Sequence, residues 1–163
     1  MSKSAADLAF QIEETMGERW LPRIYRERIL KMRTRSYQFP MLPKNPVPAI
    51  HHTLLGIELK VGRRRMLCPD LATARYLAVF ARVDCDAVAI PYDITELSQI
   101  ADEVESSWHR MFLLADSLAA NRSDSLNRRV RRILIDKVRE EIAGTGAGAR
   151  APEFRQSTKQ GRR

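Results

Sequence analysis

The run Leu54, Leu55, Gly56, Ile57, Glu58, Leu59, Lys60, Val61, closed by Gly62, constrains the fold more than any other stretch of the chain. Leu55, Ile57, Leu59 and Val61 alternate with Leu54, Gly56, Glu58 and Lys60, and a period of two with one apolar face predicts a half-buried strand. Gly62 admits turn backbone that a side chain resists. Residues 63–68 are then expected to return antiparallel, with arginines at the turn and Met66, Leu67 and Cys68 toward the core. Pro69 ends the hairpin because it has no N–H for a ladder.

Asp70 is placed to cap a helix, its carboxylate accepting from an orphan backbone N–H. Leu71, Ala74, Leu77, Ala78, Phe80 and Ala81 follow at helical spacing. Residues 87–90 are a short apolar run before Pro91, which suits a strand buried on both faces. Strand, helix, strand in that order implies a right-handed crossover between parallel strands. The sequence does not say which earlier strand pairs with 87–90.

Helices flank this centre. Ser4 with Asp7 resembles a capping box, and Leu8, Ile12 and Met16 share a face. A second helix is expected near Trp20 with Pro22 in its first turn. Its apolar side holds Leu21, Ile24, Tyr25, Ile29 and Met32, and Glu27 is expected to pair with Lys31. Residues 37–48, with Pro40, Pro43, Pro46 and Pro48, read as an extended linker anchored by Tyr37 and Phe39, with 37–39 as a short edge strand. Asp93 and Glu96 start the clearest helix, which runs about six turns from Leu97 to Leu118. Tyr92 beside that cap reads as a packed aromatic. Ser123 or Asp124 caps the last helix, whose inner face is Leu126, Val130, Ile133, Leu134, Val138 and Ile142.

These elements predict an α/β fold: a small three- to four-stranded sheet, hairpin plus crossover strand, covered by amphipathic N- and C-terminal helices. The expected division is 1–36 helices packing on the core, 37–50 linker, 51–143 core with C-terminal helices and 144–163 disordered basic tail, all within one globular domain.

Charge narrows the function. The chain has 163 residues with a formal charge of +8 and a pI near 10.0, and only six of its 28 basic residues are lysine. Guanidinium pairs bidentately with phosphate and stacks on bases, although a GC-rich genome biases codons the same way. Arg63, Arg64 and Arg65 project from the hairpin turn, and with Lys60 they make a positive knob suited to phosphates. Arg128, Arg129, Arg131 and Arg132 crowd the start of the last helix, where cations oppose the dipole and an anionic partner would offset the repulsion.

Glu58 and Lys60, two apart on a strand, share a face. Glu-x-Lys there resembles metal-dependent nuclease cores, in which the carboxylate holds a divalent ion and the lysine orients water. Those cores also carry an Asp on an earlier strand, whereas Asp70 comes after the pair and no Asp lies between Asp7 and Asp70. His51, His52 and His109 lack a second ligand at metal spacing. The glycine-rich and GxSxG signatures are absent. Cys68 and Cys85 read as reduced core thiols. The N-terminus lacks the apolar core of a signal peptide, so a cytoplasmic protein away from membranes is expected.

The leading expectation is a non-catalytic module that binds RNA or DNA through these basic side chains, with no metal or cofactor. The alternatives are a protein-interaction or assembly factor working on an acidic protein surface or as a homodimer, and a nuclease using Glu58 and Lys60.

Overall fold

A computed structural model describes residues 3–44 and 46–147. The order is α1 (Ala5–Met16), a 3-10 turn (Gly17–Arg19), α2 (Leu21–Ile24) running into a π-helical turn (Tyr25–Ile29), β1 (Thr34–Gln38), β2 (Pro48–Thr53), β3 (Gly56–Val61), β4 (Arg64–Cys68), α3 (Leu71–Val83), β5 (Ala87–Pro91), α4 (Ile94–Leu118) and α5 (Asp124–Thr145). The basic tail expected from 144 lies outside the described residues from 148 onward.

Local chemistry sets the helix ends. Ser4 and Asp7 form a reciprocal capping box, Asp70 accepts from the Thr73 N–H, Asp93 accepts from Thr95 and Glu96, and Ser123 accepts from Leu126. Each satisfies donors that the first helical turn leaves without a partner. Pro22 sits in the first turn of α2, where its missing N–H costs nothing. Glu27 pairs with Arg23 at 2.9 Å and lies 3.6 Å from Arg26, not with Lys31.

The hairpin forms with Val61 opposite Arg64, so Gly62 and Arg63 make a two-residue loop with glycine first at φ 62°, as a tight hairpin favours. Two expectations need correction. Leu55 does not belong to the inner face of β3: with Leu54 it forms the β2–β3 turn, where the two are 84% and 106% exposed. The extended linker also donates both of its ends to strands. Pro48 begins β2, which pairs with β3 and completes a three-stranded antiparallel meander.

The crossover does not join one sheet. β5 pairs antiparallel with β1 in a second, two-stranded sheet, Thr34 opposite Pro91 and Gln38 opposite Ala87. The edge strand expected at 37–39 is therefore longer and starts earlier. The physical reason lies in two helical tyrosines that occupy the other edge of β5. The Tyr25 hydroxyl accepts from the Ala89 N–H at 2.9 Å and donates to the Gly146 carbonyl at 2.6 Å. The Tyr76 hydroxyl donates to the Ala89 carbonyl. A buried strand edge must satisfy its polar groups, and here side chains substitute for a parallel neighbour.

Phe80 packs between the two tyrosines, its ring centroid 5.8 Å from that of Tyr25 and 4.9 Å from that of Tyr76. One apolar cluster runs from Ala5 through Leu59, Phe80 and Ile90 to Ile142. α5 packs on α1, α2, α3 and α4, whereas α3 covers one face of the meander. The mixed α/β class with covering N- and C-terminal helices is what the chain adopts. Among the described residues no helix is long and apolar enough to cross a membrane.

Candidate nucleic-acid interface

In an antiparallel ladder, residues directly opposite share a face. The register therefore divides the meander. Ile50, Ile57, Leu59, Val61, Met66 and Cys68 turn toward α3 and the core. Ala49, His51, Glu58, Lys60, Arg65 and Leu67 fall on the opposite face, and α3 is the helix that packs on this sheet.

On that open face Lys60 stands directly opposite Arg65. Glu58 follows, opposite Leu67 on one side and His51 on the other. Glu58 approaches Arg65 only to 4.0 Å. Lys60, Arg63 and Arg64 make no ion pair among the described residues. Like charges placed opposite each other cost roughly 0.2–1 kcal/mol. Pro43 packs against Gly62, 3.0 Å from where a side chain would begin, and so sets the 39–44 loop beside the basic turn.

The second arginine group is divided by its surroundings. The Arg131 guanidinium pairs with Asp116, bonds Asn127 at 3.2 Å and lies 4.7 Å from the Phe112 ring centroid. It holds the Asp116 carboxyl below its usual range. Arg131 thus ties α5 to α4. Arg128, Arg129 and Arg132 are exposed and form no ion pair among the described residues. The two groups ride on elements that do not pack on one another beyond marginal contact: the turn belongs to the sheet beneath α3, the other group to a helix against α1 and α4.

Glu58 and Lys60 do share a face, but Asp70 is committed to the α3 cap. No three His, Cys, Asp or Glu side chains among the described residues come together as metal ligands would. The nuclease reading retains only its original pair. A cavity of about 380 Å³ lies beside Cys85, lined also by Asp84, Asp86 and Arg139. Burial and then Asp84 push the Cys85 thiol up to about 12, so it is not a thiolate at neutral pH.

The sequence reading misplaced one aromatic. Tyr92 is not packed in the core but 55% exposed. Its N–H donates to the Arg33 carbonyl at 3.1 Å, continuing the β1–β5 ladder by one position. The Arg33 guanidinium lies 4.9 Å from the Tyr92 ring centroid and that of Arg35 lies 5.8 Å away. Alternation along β1 places both arginines on one side, with buried Thr34 between them facing inward. No motif signals this group, because the partners are separated by most of the core.

No family model matches the chain, and no curated protein or solved structure matches it.

Proposed function

We propose that the protein is a non-catalytic module that binds nucleic acid through phosphate contacts from the open face and turn of the β2–β3–β4 meander. The observation that carries this reading is Lys60 opposite Arg65, with Arg63 in the adjoining turn, exposed Arg64 beside it at the start of β4, and Glu58 no closer than 4.0 Å. Fixed like charges without close counter-ions favour a polyanion, whose release of condensed counterions supplies affinity. Arg128, Arg129 and Arg132 form a second, separate basic surface and Arg131 contributes little, because Asp116 already holds it. The module works in the cytoplasm, where Cys68 and Cys85 remain buried thiols.

Equilibrium binding to a mixed-sequence oligonucleotide, measured by anisotropy across a salt series, tests this. Affinity should fall linearly in log–log form, and replacing Arg63, Arg64 and Arg65 by Gln should make the slope shallower by about 2–3 on duplex DNA, at roughly 0.9 per lost phosphate contact. No binding at low salt, or a slope unchanged in the triple variant, rejects the assignment.

A second reading has its own observation. Leu54 and Leu55 at the β2–β3 turn and Leu67 on the open face are exposed apolar side chains near one another at one end of the meander. They favour a protein-interaction or assembly role, including a homodimer. Sedimentation of the free protein, compared with Leu54→Ser/Leu55→Ser, separates this from polyanion binding.

A further inference from the structure

We infer that Tyr92, Arg33 and Arg35 form a stacking platform for an unpaired base, so that the nucleic acid taken by this protein is single-stranded RNA or DNA. The inference rests on the nucleic-acid reading above but uses a different surface and different residues.

Three features of the group point to a flat, electron-rich ligand that also carries negative charge. First, Tyr92 keeps more than half of its surface open although it follows directly on a strand whose other residues are largely buried. An exposed aromatic at a fixed place in a sheet ladder offers a π-face at low entropic cost. Second, two guanidinium groups stand within 4.9 and 5.8 Å of its ring centroid, and neither Arg33 nor Arg35 forms an ion pair among the described residues. Arginine planes stack on bases as tyrosine rings do, and the same groups donate to phosphate. Third, the site is held on rigid elements. The Tyr92 N–H is bonded to Arg33, Arg35 is opposite Ile90 in the ladder, and β5 is fixed from its far side by the tyrosine hydroxyls on Ala89. The nearest acid in the chain, Asp93, uses its carboxylate to cap α4 through the Thr95 and Glu96 N–H groups.

This chemistry distinguishes strands from duplexes. In a duplex the base faces are already stacked on one another, and the backbone phosphates are what a basic surface meets. In a single strand the base face is open, and aromatic stacking adds sequence-tolerant affinity. A purely acidic protein partner would engage Arg33 and Arg35 but would have no use for the ring of Tyr92.

The test compares wild type, Tyr92→Ala, Tyr92→Phe and the pair Arg33→Gln/Arg35→Gln on a mixed-sequence single-stranded oligonucleotide and on the corresponding duplex, with poly-glutamate as competitor and thermal unfolding as the check on folding. Tyr92→Ala should weaken single-strand binding by about 5- to 150-fold, the equivalent of a stack worth roughly 1–3 kcal/mol. Tyr92→Phe should retain it, and duplex binding should change less than 2-fold. The arginine pair, exposed at the start of β1 and just before it, should weaken single-strand binding in a salt-dependent manner even if Tyr92→Ala folds poorly.

Salt-dependent single-strand binding that is indifferent to both Tyr92→Ala and the arginine pair overturns the platform and leaves the meander reading standing. Equal displacement by poly-glutamate overturns it in favour of an acidic protein partner. Binding to neither strand form removes both readings.

Discussion

The β1–β5 pair and the β2–β3–β4 meander are built from strands of similar length and are treated in opposite ways. β5 is paired on one edge by β1 and satisfied on the other by Tyr25 and Tyr76, and Val88, Ala89 and Ile90 are almost wholly buried. Among the described residues the meander has α3 packed on one face, and both of its outer strands, β2 and β4, lack a further strand neighbour. Charge does not follow the same division: Arg75 on α3, the helix that packs on the meander, is held by Asp102 and Glu105, while Lys60 and Arg63 on the meander, like Arg33 and Arg35 beside β5, have no counter-ion among the described residues. The difference separates a clamped frame from an open surface: β5 is held on both edges, whereas the meander leaves one face and its charged turn uncovered.

The largest effect expected from this contrast is on stability. Phe80→Ala removes the ring that packs on both tyrosines, and it should cost about 3–5 kcal/mol in denaturant unfolding. Leu67→Ala on the open face of the meander should cost no more than about 0.5 kcal/mol. Comparable losses from the two substitutions would break the comparison.

The tyrosine clamp also predicts an alkaline limit. Burial pushes the Tyr25 hydroxyl up to about 12, against the backbone bond from Ala89 that lowers it. Burial likewise holds Tyr76 well above its ordinary value. Because the folded state raises these values, the stability it gains is complete below pH 10, where the unfolded tyrosines are also neutral. That gain is lost as pH climbs from about 10 toward 12 and the unfolded chain ionises first. The Tyr25 contribution is about 2–3 kcal/mol. Unfolding midpoints measured from pH 8 to 12 should fall over that window, and Tyr25→Phe, less stable at pH 8, should show a smaller fall.

What the sequence revealed and what it hid divide along the same line. Ser4, Asp70, Asp93 and Ser123 were readable as caps because a cap is decided within four residues. The β3–β4 hairpin was readable because Gly62 and the alternation beside it are contiguous. The partner of β5 is hidden, since it depends on Tyr25 and Tyr76, which are 51 positions apart in the chain and come together on Ala89 and around Phe80. Helical spacing predicts which side a residue faces, not what its hydroxyl will bond, and the apolar periodicity of α3 does not include Tyr76 at all. The arginine clusters were visible as clusters, yet nothing in residues 128–132 separates Arg131 from its neighbours. That distinction comes from Asp116 on α4. The exposure of Tyr92 is hidden for the same reason, because the arginines that stand over it belong to β1 and the loop before it.

The smallest expected effect is the most discriminating for the meander. Two accounts of Lys60 predict opposite signs. If Lys60 serves Glu58, two positions away on the same face, then Lys60→Gln removes a favourable pair and lowers stability. If Lys60 chiefly repels Arg65, its direct neighbour across the ladder, the same change relieves repulsion and raises stability by a few tenths of a kcal/mol. The register favours the second account, because opposite residues lie closer than those two apart along a strand. The gain should fade as added salt screens the pair, whereas oligonucleotide affinity at low salt should drop. A substitution that makes the fold slightly more stable and the binding weaker marks a charge retained for a partner. If Lys60→Gln lowers stability and leaves binding unchanged, the open face is only a solvated sheet surface.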